Sequence, residues 1–132
     1  MEIDLRAQSA LEAAERGNYD QAKAVVIDLV AEDWNNAQAH RAWAKVLLAE
    51  GKNADSVAAF RTALNLDPRQ ADVHYELAEA LLAQTVRNPF LPHTNWVEAR
   101  AAVLEGLART SDKVRGTKLL ARIEAAREDA LI

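Results

Sequence analysis

Residues 37–70 read AQAHRAWAKVLLAEGKNADSVAAFRTALNLDPRQ. Two amphipathic halves meet at Glu50-Gly51-Lys52, and Asp67-Pro68 closes the stretch. Trp43, Ala44 and Leu47 recur at helical spacing in the first half, as do Ser56, Phe60 and Ala63 in the second. Gly51 suits a helix C-terminus, where a left-handed residue is needed. Pro68 disfavours helix in the residue before it. The flanking segments are imperfect copies. A spacing of 34 residues relates Gly17 to Gly51, Ala22 to Ser56, Val26 to Phe60 and Leu29 to Ala63. It continues forwards from His40 to His74, Trp43 to Leu77, Ala44 to Ala78 and Leu47 to Leu81. A fixed period of this length marks a repeat architecture.

The period has a physical cause. One pair of short antiparallel helices cannot hide its own apolar stripe, so neighbouring pairs stack. Small residues such as Ala22, Ala44 and Ala78 belong where two helices approach closely. Trp43, Leu47 and Phe60 fill the remaining space, and each such side chain stabilises by roughly 1.5–3 kcal/mol when buried.

These residues resemble the tetratricopeptide repeat. In the middle copy Trp43, Ala44, Leu47, Gly51, Ser56, Phe60, Ala63 and Pro68 fall on the family's signature positions. The first copy matches with Ala10, Gly17, Tyr19, Ala22, Val26 and Leu29. It departs with Ser9 at a usual Leu position and Trp34 at the usual Pro position. The third copy matches with Leu77, Ala78, Leu81, Ala99 and Val103. The resemblance implies an all-α fold: a right-handed α-α superhelix, or solenoid, of helix-turn-helix repeats. Three repeats are expected at about 3–36, 37–70 and 71–111, with a capping helix at about 112–131. That makes about seven helices in a single domain spanning 1–132.

The third copy is interrupted. Ala99 follows Ser56 by 43 residues, nine more than the period. The insertion lies within 85–95, where Pro89 and Pro92 preclude regular helix. Asn95 and Glu98 are read as a capping box restarting the chain. Asn53 is read as the cap of helix four, and Ser111 or Asp112 as the cap of the last helix. Val114, Leu119, Leu120, Ile123, Ala126 and Ala130 are expected on the packed face of that helix, which covers the end of the stack.

Composition narrows the function. Half of the 132 residues are hydrophobic, and the formal charge is −4. A weakly acidic chain lacks the basic footprint that nucleic acid requires. Without Cys there is no disulfide framework or thiol chemistry. No apolar run is long enough to span a membrane. The opening MEIDLRAQSA does not read as a signal peptide. A cytoplasmic location is favoured, unless the sequence is a piece of a larger protein.

The chain offers no catalytic constellation. Ser9, Ser56 and Ser111 lack a nucleophile-elbow context, and the four Gly are too scattered for a phosphate loop. His40 and His74 share a repeat position that normally packs between helices. His93 falls in the insertion. Neither an enzyme activity nor a metal or cofactor is expected.

In the family, the first helix of each pair lines a concave groove. By resemblance, the groove takes Asp4, Ala7, Leu11 and Ala14 from the first repeat. The second supplies Gln38, Arg41, Lys45 and Leu48, and the third supplies Asp72, Tyr75, Glu79 and Leu82. Arg41 and Lys45 sit one turn apart on one face and suit a carboxylate or acidic peptide. Alternatively, they pair with acidic groups across the groove. The clamp that some relatives use for chaperone tails requires Lys and Asn at set positions. Ala7, Leu11, Arg41 and Lys45 stand there, so chaperone-tail binding is not expected. A second candidate surface is Phe90, Leu91 and Trp96 in and beside the insertion. The expected function is a protein-interaction scaffold that binds a peptide or helix of a partner protein. The alternative is a self-association module, or a domain of a larger assembly, using the 85–96 segment or an end face. A monomer is slightly favoured.

Overall fold

A computed structural model describes residues 2–87 and 94–131. Seven α-helices occur among the described residues. They divide into two compact units, Met1–Pro68 and Arg69–Ile132.

The first unit holds α1 (Glu2–Glu15), α2 (Tyr19–Glu32), α3 (Ala37–Glu50) and α4 (Asn53–Leu66). These are two helix hairpins, and α3 packs on both α1 and α2. The hairpin turns are set by glycine: Gly17 at φ 84° and Gly51 at φ 89°, both left-handed. Gly51 N–H bonds the Leu48 carbonyl and Lys52 N–H the Leu47 carbonyl, which satisfies the last carbonyls of α3. Asn36 caps α3, its side-chain oxygen accepting from Ala39 N–H at 3.1 Å.

Asn53 does not cap α4 as the sequence suggested. Only Lys52 separates the glycine turn from the helix, so the chain enters α4 one residue early. Asn53 is already helical and buried, and Lys52 stands at the cap without a side-chain bond. The Lys52 carbonyl instead accepts from Ser56 N–H.

Ala10, Ala13, Ala14, Ala22, Val26, Ala42 and Val46 form one continuous core, flanked by Ala7, Leu11, Tyr19, Val25 and Trp43. The alanines let helix backbones approach closely, and Val26, Leu29 and Phe60 are fully enclosed. The buried Ser56 hydroxyl donates to the Ala44 carbonyl at 2.8 Å, tying α4 to α3. Lys23 Nζ meets Glu50 Oε1 at 2.9 Å, which links α2 to α3 at a partly buried site.

The second unit holds α5 (Ala71–Arg87), α6 (Thr94–Ala108) and α7 (Val114–Leu131). α6 packs along α5, and α7 packs on α6 and touches α5. α6 starts at Thr94, so Asn95 lies inside its first turn instead of capping it. The Asn95 side chain donates to Gln84 Oε1 at 3.3 Å. At the next turn the Asp112 carboxylate accepts from Val114 N–H at 3.1 Å, and Lys113 Nζ reaches the Thr110 carbonyl at 2.9 Å. Leu119 and Ile123 are buried on α7 as expected, but Val114 is 60 % exposed. It sits in the first turn, ahead of the packed stripe. Arg100 and Glu124 pair at 3.3 Å between α6 and α7.

Candidate functional site

The residues singled out on α3 share one side of it. An α-helix turns about 100° per residue, which puts Lys45 roughly 160° round from Trp43. Gln38, Arg41, Lys45 and Leu48 are half-buried there, while Trp43 and Leu47 face the other way. Arg41 and Lys45 therefore form a cationic pair one turn apart on a single face. In the first repeat Ala14 belongs to the core, and Ala7 and Leu11 lie against it. The side chain of Asp4 lies outside the described residues.

On α5 the corresponding set is already engaged within its own unit. Arg115 of α7 places one guanidinium nitrogen 3.4 Å from Asp72 Oδ1 and another 3.1 Å from Glu79 Oε1. Its guanidinium carbon lies 5.6 Å from the centre of the Tyr75 ring. Exposed ion pairs contribute about 0–1 kcal/mol each, and an exposed cation–π contact about 0.5–1 kcal/mol. The arrangement orients α7 on α5 without locking it.

Tyr75 is only 2 % exposed, and its hydroxyl has no hydrogen-bond partner among the described residues. Burial pushes its pKa up from the usual 10; Arg115 acts in the opposite direction, while Asp112 and Asp72 reinforce the rise. The ring fits because two helical positions are glycine. A Cβ on Gly106 would stand 2.5 Å from Tyr75 Cε1, and one on Gly116 would stand 2.7 Å from the hydroxyl. Leu82 is buried as well.

Sequence reasoning missed Arg115, Gly106 and Gly116. A signal existed for the glycines, since Gly inside a helical pattern implies close packing. Gly106 follows Ala63 by 43 residues, the same spacing that relates Ser56 to Ala99. A signature alanine has thus become glycine where Tyr75 enters. Arg115 carried no comparable signal. Its partners lie 43 and 36 residues away and meet it only through folding.

Phe90 and Leu91 lie outside the described residues. Trp96 is 6 % exposed, so its ring is packed instead of presented. Among the described residues no group of three or more His, Cys, Asp or Glu could hold a metal ion. In the same residues no helix is long and apolar enough to cross a membrane.

Residues 44–84 match the family model described as TPR repeat. No curated protein matches the sequence. Solved structures resemble it along nearly all of its length. The first TPR domain of human RPAP3 superposes with a TM-score of 0.81 at 16 % identity, covering 97 % of this chain and 94 % of that one. The first TPR of Spaghetti (RPAP3), bound to the HSP90 peptide SRMEEVD, gives 0.78 at 16 % identity, covering 96 % and 93 %. The Yersinia enterocolitica type III secretion chaperone SycD, in complex with a peptide of the translocator YopD, gives 0.70 at 16 % identity, covering 96 % and 90 %. The seven helices of the described residues and their glycine-turned hairpins have the fold of tetratricopeptide-repeat domains, and residues 44–84 carry the sequence match to that repeat.

Proposed function

We propose that the protein is a non-enzymatic scaffold that holds a peptide segment or short helix of a partner protein on the α3 face. Gln38, Arg41, Lys45 and Leu48 are the contact residues. The observation that carries this reading is the Arg41–Lys45 pair, two half-buried cations one turn apart on a face also bearing Leu48. Two charged donors at that spacing suit carboxylates of an acidic segment, through charge-assisted hydrogen bonds. Peptides bound by proteins of the same fold support the general mode. Asp72 and Glu79 are held by Arg115, and Tyr75 and Leu82 are buried. The α5 set is thus taken up within its own unit and is not among the proposed contacts.

The test is a titration of fluorescently labelled acidic heptapeptides, followed by anisotropy. The double variant Arg41→Glu/Lys45→Glu is expected to lose at least tenfold in affinity while its helical circular dichroism is unchanged. Equal binding by the variant, or no binding by the parent, refutes the assignment.

A further inference from the structure

The opposite side of the first unit carries a feature that the α3 face does not use. α2 and α4 each run against α3 but scarcely touch one another. Between them lies an open cleft of about 590 Å³, within the roughly 300–1,000 Å³ typical of ligand pockets. Trp43 and Leu47 of α3 form its floor, Ile27 of α2 and Ala58 of α4 its walls, and Trp34 its mouth. The α4 wall is short-chained, with Ala58 and Ala59 between Asp55 and Thr62, which leaves the cleft open.

Trp34 is 67 % exposed, yet it is held in place. Asn36 N–H bonds the Asp33 carbonyl, and the Asp33 carboxylate accepts from Asn35 N–H. The buried His40 ring has Nε2 2.7 Å from the Trp34 carbonyl, so Nε2 carries the proton and donates it. The two rings meet edge to face, their centres 5.1 Å apart. That contact leaves most of a large aromatic, held on a hydrogen-bonded turn, facing solvent. Tryptophan in that situation is typical of a residue that dominates a binding interface.

The charges around the cleft define its occupant. Asp55 is the charged residue among those that line it. No Lys or Arg is among the lining residues. The nearby Glu32 pairs with Arg6 at 2.6 Å, whereas Asp55 makes no ion pair with any described residue. A second copy of this chain, at net charge −4, would bring acid against acid. A strand cannot add here through main-chain bonds, because helix backbones are internally bonded and offer no sheet edge. A groove between two helices floored by a third takes another helix. Asp55 and Thr62, which both line the cleft, are seven residues apart within α4, about 10 Å along its axis. An occupant of two to three turns spans that distance.

We propose that this cleft is a second docking site, which takes a short amphipathic helix with large apolar side chains on one face and Lys or Arg beside them. It goes beyond the α3 reading, because it lies on the other side of the helix and demands the opposite charge.

The test uses an acetylated 14-residue amphipathic peptide of Leu, Ala and Lys, with a twin in which every Lys is Glu. Binding is followed by the blue shift of tryptophan emission and by amide chemical-shift mapping on the full chain. The Lys peptide is expected to bind, with shifts concentrated in α2, residues 33–36 and α4. The Glu twin should bind at least tenfold more weakly. Trp34→Ala and Ala58→Phe, both at exposed positions, should each weaken binding at least tenfold with the helical signal intact. Arg41→Glu/Lys45→Glu should leave binding unchanged, so failure of the α3 reading and failure of this one are distinguishable. Equal binding of both peptides, shifts centred on α3 residues 38–48, or no binding each overturn the proposal. So does sedimentation showing a dimer that Ala58→Phe dissociates, since the occupant would then be a second copy.

Discussion

Gln38, Arg41, Lys45 and Leu48 on α3 stand one repeat before Asp72, Tyr75, Glu79 and Leu82 on α5, each pair 34 residues apart. Their surroundings differ. The α3 set is half-buried throughout. In the α5 set, Tyr75 and Leu82 are enclosed and the two carboxylates are bridged by Arg115. The repeat register fixes where a side chain points, and in the second unit the elements that follow decide how far it is enclosed. α5 is followed by α6 with glycine at 106 and by α7 with glycine at 116, and those two positions admit the Tyr75 ring. A repeat position is thus an address, and occupancy is decided by what packs against it.

The sharpest way to break this contrast is Gly106→Ala. The new methyl group would meet the Tyr75 ring at 2.5 Å, so ring or helix must move, and overpacking of this kind costs about 1–3 kcal/mol. Urea denaturation is expected to show that loss, with Tyr75 more exposed to ultraviolet difference spectroscopy. An unchanged midpoint would mean that the glycine is not what admits the ring.

Arg115→Ala has a smaller expected effect. It removes two exposed ion pairs and one cation–π contact, about 1 kcal/mol in total. The loss should shrink in 1 M salt, where charges are screened beyond about 3 Å. A loss that does not depend on salt would show that the Arg115 stem, not its charge, holds α7.

Tyr75→Phe is expected to be neutral or to stabilise by up to about 1 kcal/mol, because it removes a buried hydroxyl without a partner among the described residues. It also carries a pH signature. The folded-state pKa of Tyr75 is raised above 10 by burial. The unfolded chain therefore releases that proton first as pH rises. The contribution is fully present below pH 10 and is lost as pH climbs through the folded value. Melting temperatures measured from pH 9 upwards should fall less steeply in Tyr75→Phe than in the parent. Parallel curves would exclude Tyr75 as the group responsible.

Much of the fold was legible because its determinants are local or periodic. Gly51 takes the left-handed conformation its place after a helical run implies. Ala22, Ala44 and Ala78 are wholly buried, as expected of residues at close helix contacts. Ser56 keeps the small-residue position and adds a bond to the Ala44 carbonyl. Caps were harder, because a cap depends on a single dihedral: Asn53 and Asn95 both fell inside helices. Neither Arg115 nor the cleft could be read from the sequence. The first depends on side chains brought together over long separations. The second depends on how far apart α2 and α4 stand, and no residue encodes that distance alone.

The three indoles occupy three grades of environment: Trp34 is 67 % exposed, Trp43 intermediate and Trp96 only 6 % exposed. Water contact sets both the emission colour of an indole and its access to a collisional quencher. The molecule therefore carries its own optical gauge. Its red, quenchable component reports on the mouth of the cleft, and its blue, protected component reports on the integrity of the second unit.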